Sequence, residues 1–313
     1  MSLLLDFNKT ARTANIHLNK HTANMQKSLL RLSSGNRIIS PSDDAGGLAT
    51  AMRLSASSSQ VSVVSDNVTN AVTFVQSQDS ALSSAADVLT EMSELRTQYD
   101  SATATSTDKA GYNITFQVLR GQLSDLMTES FNGTSLFSGV NNTFGQAIQD
   151  SAGTFAVYTS ENGASGSSVS IQKGALLSAL NVKGVGGTGA VTNATVSNDS
   201  ELAATANSGT SASLGNFSSA DITQAIANVA TLRAYSGASE SVLGFSQSYL
   251  TEKASLLSQA HDNIMATDIA QESINYTKYS ILAQSAAAAI TQSNLQAGTV
   301  LTLLDSIKNN KIL

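Results

Sequence analysis

The sequence predicts a mainly α fold: long antiparallel helices from both chain ends form a coiled-coil bundle, with a small β/loop-rich central insert. Three observations carry this expectation. Apolar residues recur at alternating spacings of three and four over both flanks of the 313-residue chain, the period of helix seams. Glycine gathers in the middle, where twelve of the 21 glycines fall within residues 139–220. An apolar content of 41% comes with only 5% aromatic residues, one proline and no tryptophan, which suits thin helical layers better than a thick interior.

The first helix is read from Ala11, Ala14, Leu18, His21, Met25, Ser28 and Leu32, a heptad seam with Leu29 beside it. It is expected to end near Ser34-Gly35, where glycine can take the left-handed cap. Ser40-Pro41-Ser42-Asp43-Asp44 then reads as a helix start, with a hydroxyl cap and two carboxylates facing the positive end of the helix dipole. Capping outweighs metal binding here, because successive helical side chains diverge and no further ligand is near in sequence.

The strongest pattern follows. Val61, Val64, Val68, Ala71, Val75, Gln78, Leu82, Ala85, Leu89, Met92 and Arg96 lie on one unbroken alternation of three and four, a helix of about 54 Å at 1.5 Å per residue. Glycine and proline are absent from Leu48 to Ala110, so nothing obliges it to stop before a Ser/Thr/Asp linker at Tyr99 to Thr107. Tyr112, Phe116, Leu119, Leu123 and Leu126 mark a third helix ending before Phe131-Asn132-Gly133.

In the insert, Thr154–Thr159, Ser167–Gln172 and Ala190–Ser197 are β-capable stretches between Gly/Asn/Ser punctuation. Gly184-Val185-Gly186-Gly187-Thr188-Gly189 matches a dinucleotide fingerprint only formally, because no βαβ unit surrounds it. The helical period returns with Ile222, Ile226, Val229, Leu243, Leu250, Ala254, Leu257 and Ile264, with Ser236-Gly237 as a candidate bend.

The last segment, roughly 264–307, carries two apolar stripes. One is Ile274, Ile281, Ala288 and Leu295; the other is Leu282, Ala286, Ala289, Ser293, Ala297, Val300, Leu304 and Ile307. A helix apolar on two sides needs two packing partners. The amino-terminal helix is one, and the second must come from elsewhere. Small residues at Ala286 to Ala289 allow close approach. With the insert as a loop between antiparallel arms, both termini are expected at one end. Arms too thin to bury their own faces point to subunits that supply one another's walls and grow a helical polymer.

Composition excludes much else. Without cysteine there is no disulfide, thiolate zinc site, iron–sulfur cluster or thiol nucleophile. A net charge of −6 with 13% charged residues argues against a nucleic-acid surface. No apolar run approaches the roughly 20 residues of a membrane span. The start lacks the features of a cleavable secretory signal, so export would use another route. Six basic residues against Asp6 in residues 1–37 imitate a transit peptide, but the apolar period runs past that length. His17 and His21, four apart, lack the glutamate of a HExxH site, and His21 lies in the seam; packing is expected for both and for His261. No nucleophile elbow or phosphate loop occurs, so neither cofactor, metal nor enzymatic activity is expected.

Certain motifs carry a resemblance. Leu32-Ser33-Ser34-Gly35-Asn36-Arg37-Ile38 followed by Asp43-Asp44-Ala45-Gly46-Gly47-Leu48-Ala49 is similar to the amino-terminal signature of bacterial flagellin. Leu232-Arg233 with Gly237-Ala238, then Ile264 to Glu272, Gln284 and Leu301 to Leu304, resembles its carboxy-terminal one. The resemblance covers about 1–140 and 220–313.

It implies an extracellular structural subunit of the flagellar filament, exported through the flagellar apparatus with a chaperone and polymerised beneath a cap, next to hook-junction proteins. Residues 1–40 and 265–313 would form an inner coiled-coil domain that orders on assembly. Residues 41–138 and 220–264 would form the long-helix domain, and 139–219 the variable outer one. Subunit packing would fall to Leu3, Leu4, Leu5, Phe7, Ala11, Ala14, Leu18, Met25, Leu32, Ile274, Ile281, Leu295, Val300 and Leu304, with Ser42, Asp43 and Asp44 as a helix-cap or spoke motif. Ser40 to Asp44 and Leu136 to Gly139 are also similar to the hook–filament junction protein, the alternative reading, and a soluble coiled-coil adaptor is a second. In many flagellins the stretch matching Leu89 to Gln98 is read by an innate receptor. Here Glu94, Leu95 and Gln98 fit that pattern, while Glu91 and Ser93 replace arginines, which implies weak recognition.

Overall fold

A computed structural model describes residues 2–138, 153–181, 202 and 213–309. Its order is α1 (Ser2–Ser34), α2 (Ala45–Tyr99), α3 (Ser106–Met127), β1 (Ser130–Phe131), β2 (Thr134–Ser135), β3 (Thr154–Tyr158), β4 (Ser168–Gln172), α4 (Leu176–Leu180), α5 (Ser219–Met265) and α6 (Ile269–Asn309). The chain forms two compact units, one of Met1–Ser57 with Leu256–Leu313 and one of Ser58–Ser255.

In the second unit α2 and α5 run antiparallel. Ser65, Gln76 and Asp79 on α2 bond Gln247, Glu240 and Arg233 on α5, one set of numbers rising as the other falls. The α2 seam is where the spacing placed it: from Val61 to Met92 every seam residue is buried, and Arg96 is half-buried. Gln78, polar in that apolar row, donates to the Leu136 carbonyl at 3.0 Å and accepts from Ser236 Oγ at 3.3 Å. These bonds satisfy its buried amide and fix the register between α2, α5 and the chain after β2. Ser236-Gly237 does not interrupt α5, which is continuous: Ser236 is held against Gln78 and Gly237 is exposed, so the glycine costs helix propensity without ending the helix.

α3 opens with a capping box, Thr105 and Asp108 exchanging bonds with each other's backbone. It buries Phe116, Leu119, Arg120 and Leu123, and Phe116 meets Phe217 with ring centroids 5.7 Å apart. The chain then makes a hairpin, β1 with β2, turning through Asn132 and Gly133 at positive φ of 49° and 76°, the combination that two-residue hairpins favour. β3 and β4 pair antiparallel, matching two of the three β-capable stretches. Ala190–Ser197 and the loop 184–189 lie outside the described residues.

Candidate functional site

The first unit holds the terminal helices. α1 and α6 run antiparallel, with Arg31 3.9 Å from Glu272 and His21 stacked 6.3 Å from Tyr279. On α1, Ala11, Ala14, Leu18, His21, Met25 and Leu32 are half-buried and Ser28 is buried. Ile16, Leu29 and Leu30 are exposed. On α6 one stripe is sheltered: Leu282, Ala286, Ala297 and Val300 are half-buried and Ser293 is buried, while Ala289 and Ile307 stay exposed. The other stripe is bare. Ile274, Ile281 and Leu295 are 62%, 57% and 66% exposed. The side chains of Leu3, Leu4, Leu5, Phe7 and Leu304 lie outside the described residues.

His17 stacks on His21 at 6.0 Å, which continues toward Tyr279. His261 is half-buried and bonds Asp262 at 3.1 Å. Among the described residues no three metal-ligating side chains gather.

Two chain breaks are stitched together in this unit. Gly35, at φ +71°, closes α1 through its N–H to Arg31 O. The next residues form an antiparallel bridge, Asn36 to Ala266. Arg37 N donates to Met265 O at 2.6 Å, Thr267 N to Gly35 O at 2.9 Å, and Arg37 Nη2 to Ile264 O at 2.9 Å. The sequence reading carried helix through 264–307, but α5 stops at Met265 and α6 restarts at Ile269. Asp268 makes the break by accepting from Ala270 N and Gln271 N.

The helix-cap motif divides its labour. Asp44 Oδ1 accepts from Gly47 N at 2.8 Å and caps α2, so a carboxylate does the work expected of a hydroxyl. Ser42 only shares a 2.7 Å bond with Ser40. Gly47 is required by space, because a Cβ there would strike Asp44's carboxylate and Ile38. Asp43 turns the other way, accepting from Ile39 N and Ser40 N and pairing with Lys27 at 2.5 Å. The Lys27 hydrogen bond, with the Ile39 amide behind it, lowers the Asp43 carboxyl from 3.8 to about 2.

A carboxyl lowered in the folded state stabilises above its unfolded value, and that contribution is lost as pH falls from there through about 2. In Lys27→Met, Asp43 should titrate at higher pH, still held below its ordinary value by the two amides. NMR of the carboxyl carbon measures this, and an unchanged titration contradicts the pairing.

Of the receptor-motif residues, Leu89 is buried in the α2 seam and Leu95 is half-buried, while Glu91, Glu94 and Gln98 are exposed.

Residues 7–142 match the model of the bacterial flagellin N-terminal helical region, and residues 219–304 that of the C-terminal helical region. Flagellin from Listeria innocua is 27% identical over 295 residues, 93% of this chain and 95% of that protein. The flagellar filament 33 kDa core protein of Treponema phagedenis is 25% identical over 304 residues, 96% of this chain and all of that protein. Flagellin A of Vibrio anguillarum is 32% identical over 148 residues, 47% of this chain; the match spans 38% of that relative's length. With both helical regions matched in order at the two ends, the chain belongs to the bacterial flagellin family.

Proposed function

We propose that this chain is a structural, non-enzymatic subunit that polymerises into the extracellular flagellar filament used for swimming. One observation carries the reading: α6 has two apolar stripes, α1 shelters one, and Ile274, Ile281 and Leu295 are left in solvent. Covering each such side chain contributes about 1.5–3 kcal/mol, and a neighbouring subunit can supply the cover. The terminal helices form the inner coiled-coil domain (1–40 and 265–313), residues 41–138 and 220–264 the long-helix domain, and 139–219 the outward domain. Ser42, Asp43 and Asp44 belong to the connection between the first two. Export apparatus, chaperone, cap and hook-junction proteins are its partners in this reading, by family likeness. The exposed Glu91, set where flagellins carry arginine, makes the degenerate motif a poor innate-receptor ligand.

Electron microscopy of the purified chain at high concentration tests the proposal. Long tubes are expected; short, closed oligomers at every concentration would contradict it.

A further inference from the structure

The second unit carries bare apolar faces on two of its helices. On α5, Tyr235, Val242, Phe245 and Tyr249 are spaced by 7, 3 and 4, and all are exposed, Phe245 and Tyr249 at 77% and 60%. That spacing sets them on one face of the helix, beside the buried Leu243 and Leu250. On α3, Gly111, Ile114, Val118 and Gly121 are spaced by 3, 4 and 3, on the side turned away from the buried Phe116, Leu119 and Leu123. Ile114 and Val118 are 68% and 67% exposed, and a Cβ added at either glycine would meet nothing within 4 Å.

The two faces complement each other. Tyr235 and Phe245 are ten positions apart, as are Gly111 and Gly121, about 15 Å along each helix. With the rings seated over the glycines, Val242 falls against Val118 if the helices run parallel and against Ile114 if they run antiparallel, large on small in both directions. Charge agrees. Residues 110–119 have none, and Glu240, the one charged residue in 235–249, accepts from Gln76 on α2 at 2.8 Å.

We propose that these faces meet between copies of this chain, the aromatic face of α5 in one subunit seated on the α3 face of the next. The inference rests on the filament-subunit reading and adds a contact to it. Because the two faces differ, every copy that joins leaves one of each free, so copies add in series rather than closing as a symmetric pair. At about 150–250 Å² for an aromatic side chain, the α5 face offers roughly 400 Å², about half of the roughly 800 Å² per partner in a stable interface. Such a contact leaves a dilute chain monomeric and counts only where it is repeated, which selects a second copy in a polymer as the occupant.

The chain has no cysteine, so introduced thiols are the only ones present. Val242→Cys subunits are mixed with Ile114→Cys or with Val118→Cys subunits, brought to polymerising concentration and oxidised. One of the two mixtures should yield disulfide-linked chains, while each variant alone yields none. Gly111→Leu gives an independent reading. It replaces a poor helix former, so the Tm of the dilute chain should rise by about 2 °C, yet it fills the space for the ring and should raise the critical concentration about tenfold or more. Polymer without a cross-link in either mixture overturns the contact and leaves the filament reading standing; the same result follows if another segment of the chain or a different protein covers α5. Cross-linking of Val242→Cys with itself overturns it in favour of a symmetric pair, and Gly111→Leu assembling at the parent's concentration overturns it too. A parent chain that never assembles overturns both the contact and the filament reading.

Discussion

Ile281→Asp should abolish polymerisation while leaving the isolated chain folded. Ile281 is 57% exposed on α6, away from the stripe that α1 shelters, so an aspartate there is hydrated in the monomer and disturbs no pairing. In a polymer that covers this stripe, two costs arise together. The burial of isoleucine, about 1.5–3 kcal/mol, is lost, and an unpaired carboxylate leaves water, which costs several kcal/mol more. Even about 3 kcal/mol per subunit raises the critical concentration by about a hundredfold. Sedimentation against concentration measures the shift, circular dichroism checks that helix content is kept, and Ile281→Leu should assemble normally. An aspartate variant that assembles at the parent's concentration would show that this stripe is not an interface.

Phe116→Ala should instead destabilise the second unit without touching the terminal helices. Phe116 is fully buried on α3 against Phe217, which is itself 1% exposed. Phe217 lies between the 3-10 turn Leu214–Asn216 and the start of α5. That turn is tied to α3 and α2 by Leu214 N to Asn113 Oδ1 at 2.9 Å and Arg96 Nη1 to Leu214 O at 3.0 Å. Removing the ring leaves a cavity that these bonds keep from collapsing, with a loss of about 3–5 kcal/mol. For a unit of this size that is roughly 6–20 °C in Tm. Calorimetry measures it, and a change under roughly 2 °C would mean that the site relaxes around the void.

The helices were legible wherever the apolar spacing ran without interruption. α2 could be placed from Val61 to Met92 because valine, alanine and leucine recur with no glycine or proline between them. The glycine closing α1 was equally readable, since a left-handed residue after a seam has few substitutes. The break between α5 and α6 was not. Thr267-Asp268 ends one helix and caps the next without glycine or proline, and the same residues are compatible with continuous helix until Asp268's carboxylate takes the amides of the next turn. Gly237 is the converse case, a glycine at which the helix could have been interrupted but is not, with Ser236 beside it held against Gln78. α3 does end before Phe131-Asn132-Gly133, as the spacing placed it; that Asn132-Gly133 turns a hairpin was not legible, because its strands of two residues each are too short to show alternation.

Arg120 was missed, being a charged residue among the buried positions of α3 where it donates to Gln117 at 3.2 Å. The two-faced character of the last helix, the feature that matters most for the proposed function, was visible in the spacing alone. Which face α1 takes was visible only in the structure.

Hydrogen exchange on a dilute, unpolymerised chain tests the central claim most directly. The terminal pair is largely half-buried, and two helices without a third wall are marginal. The amides of residues 11–34 and 269–303 should therefore exchange much faster than those of 61–92, and become protected when the same sample is brought to polymerising concentration. Protection of both ends equal to that of 61–92 in the dilute chain would mean that the ends are complete by themselves, and that the bare stripe on α6 awaits no neighbour.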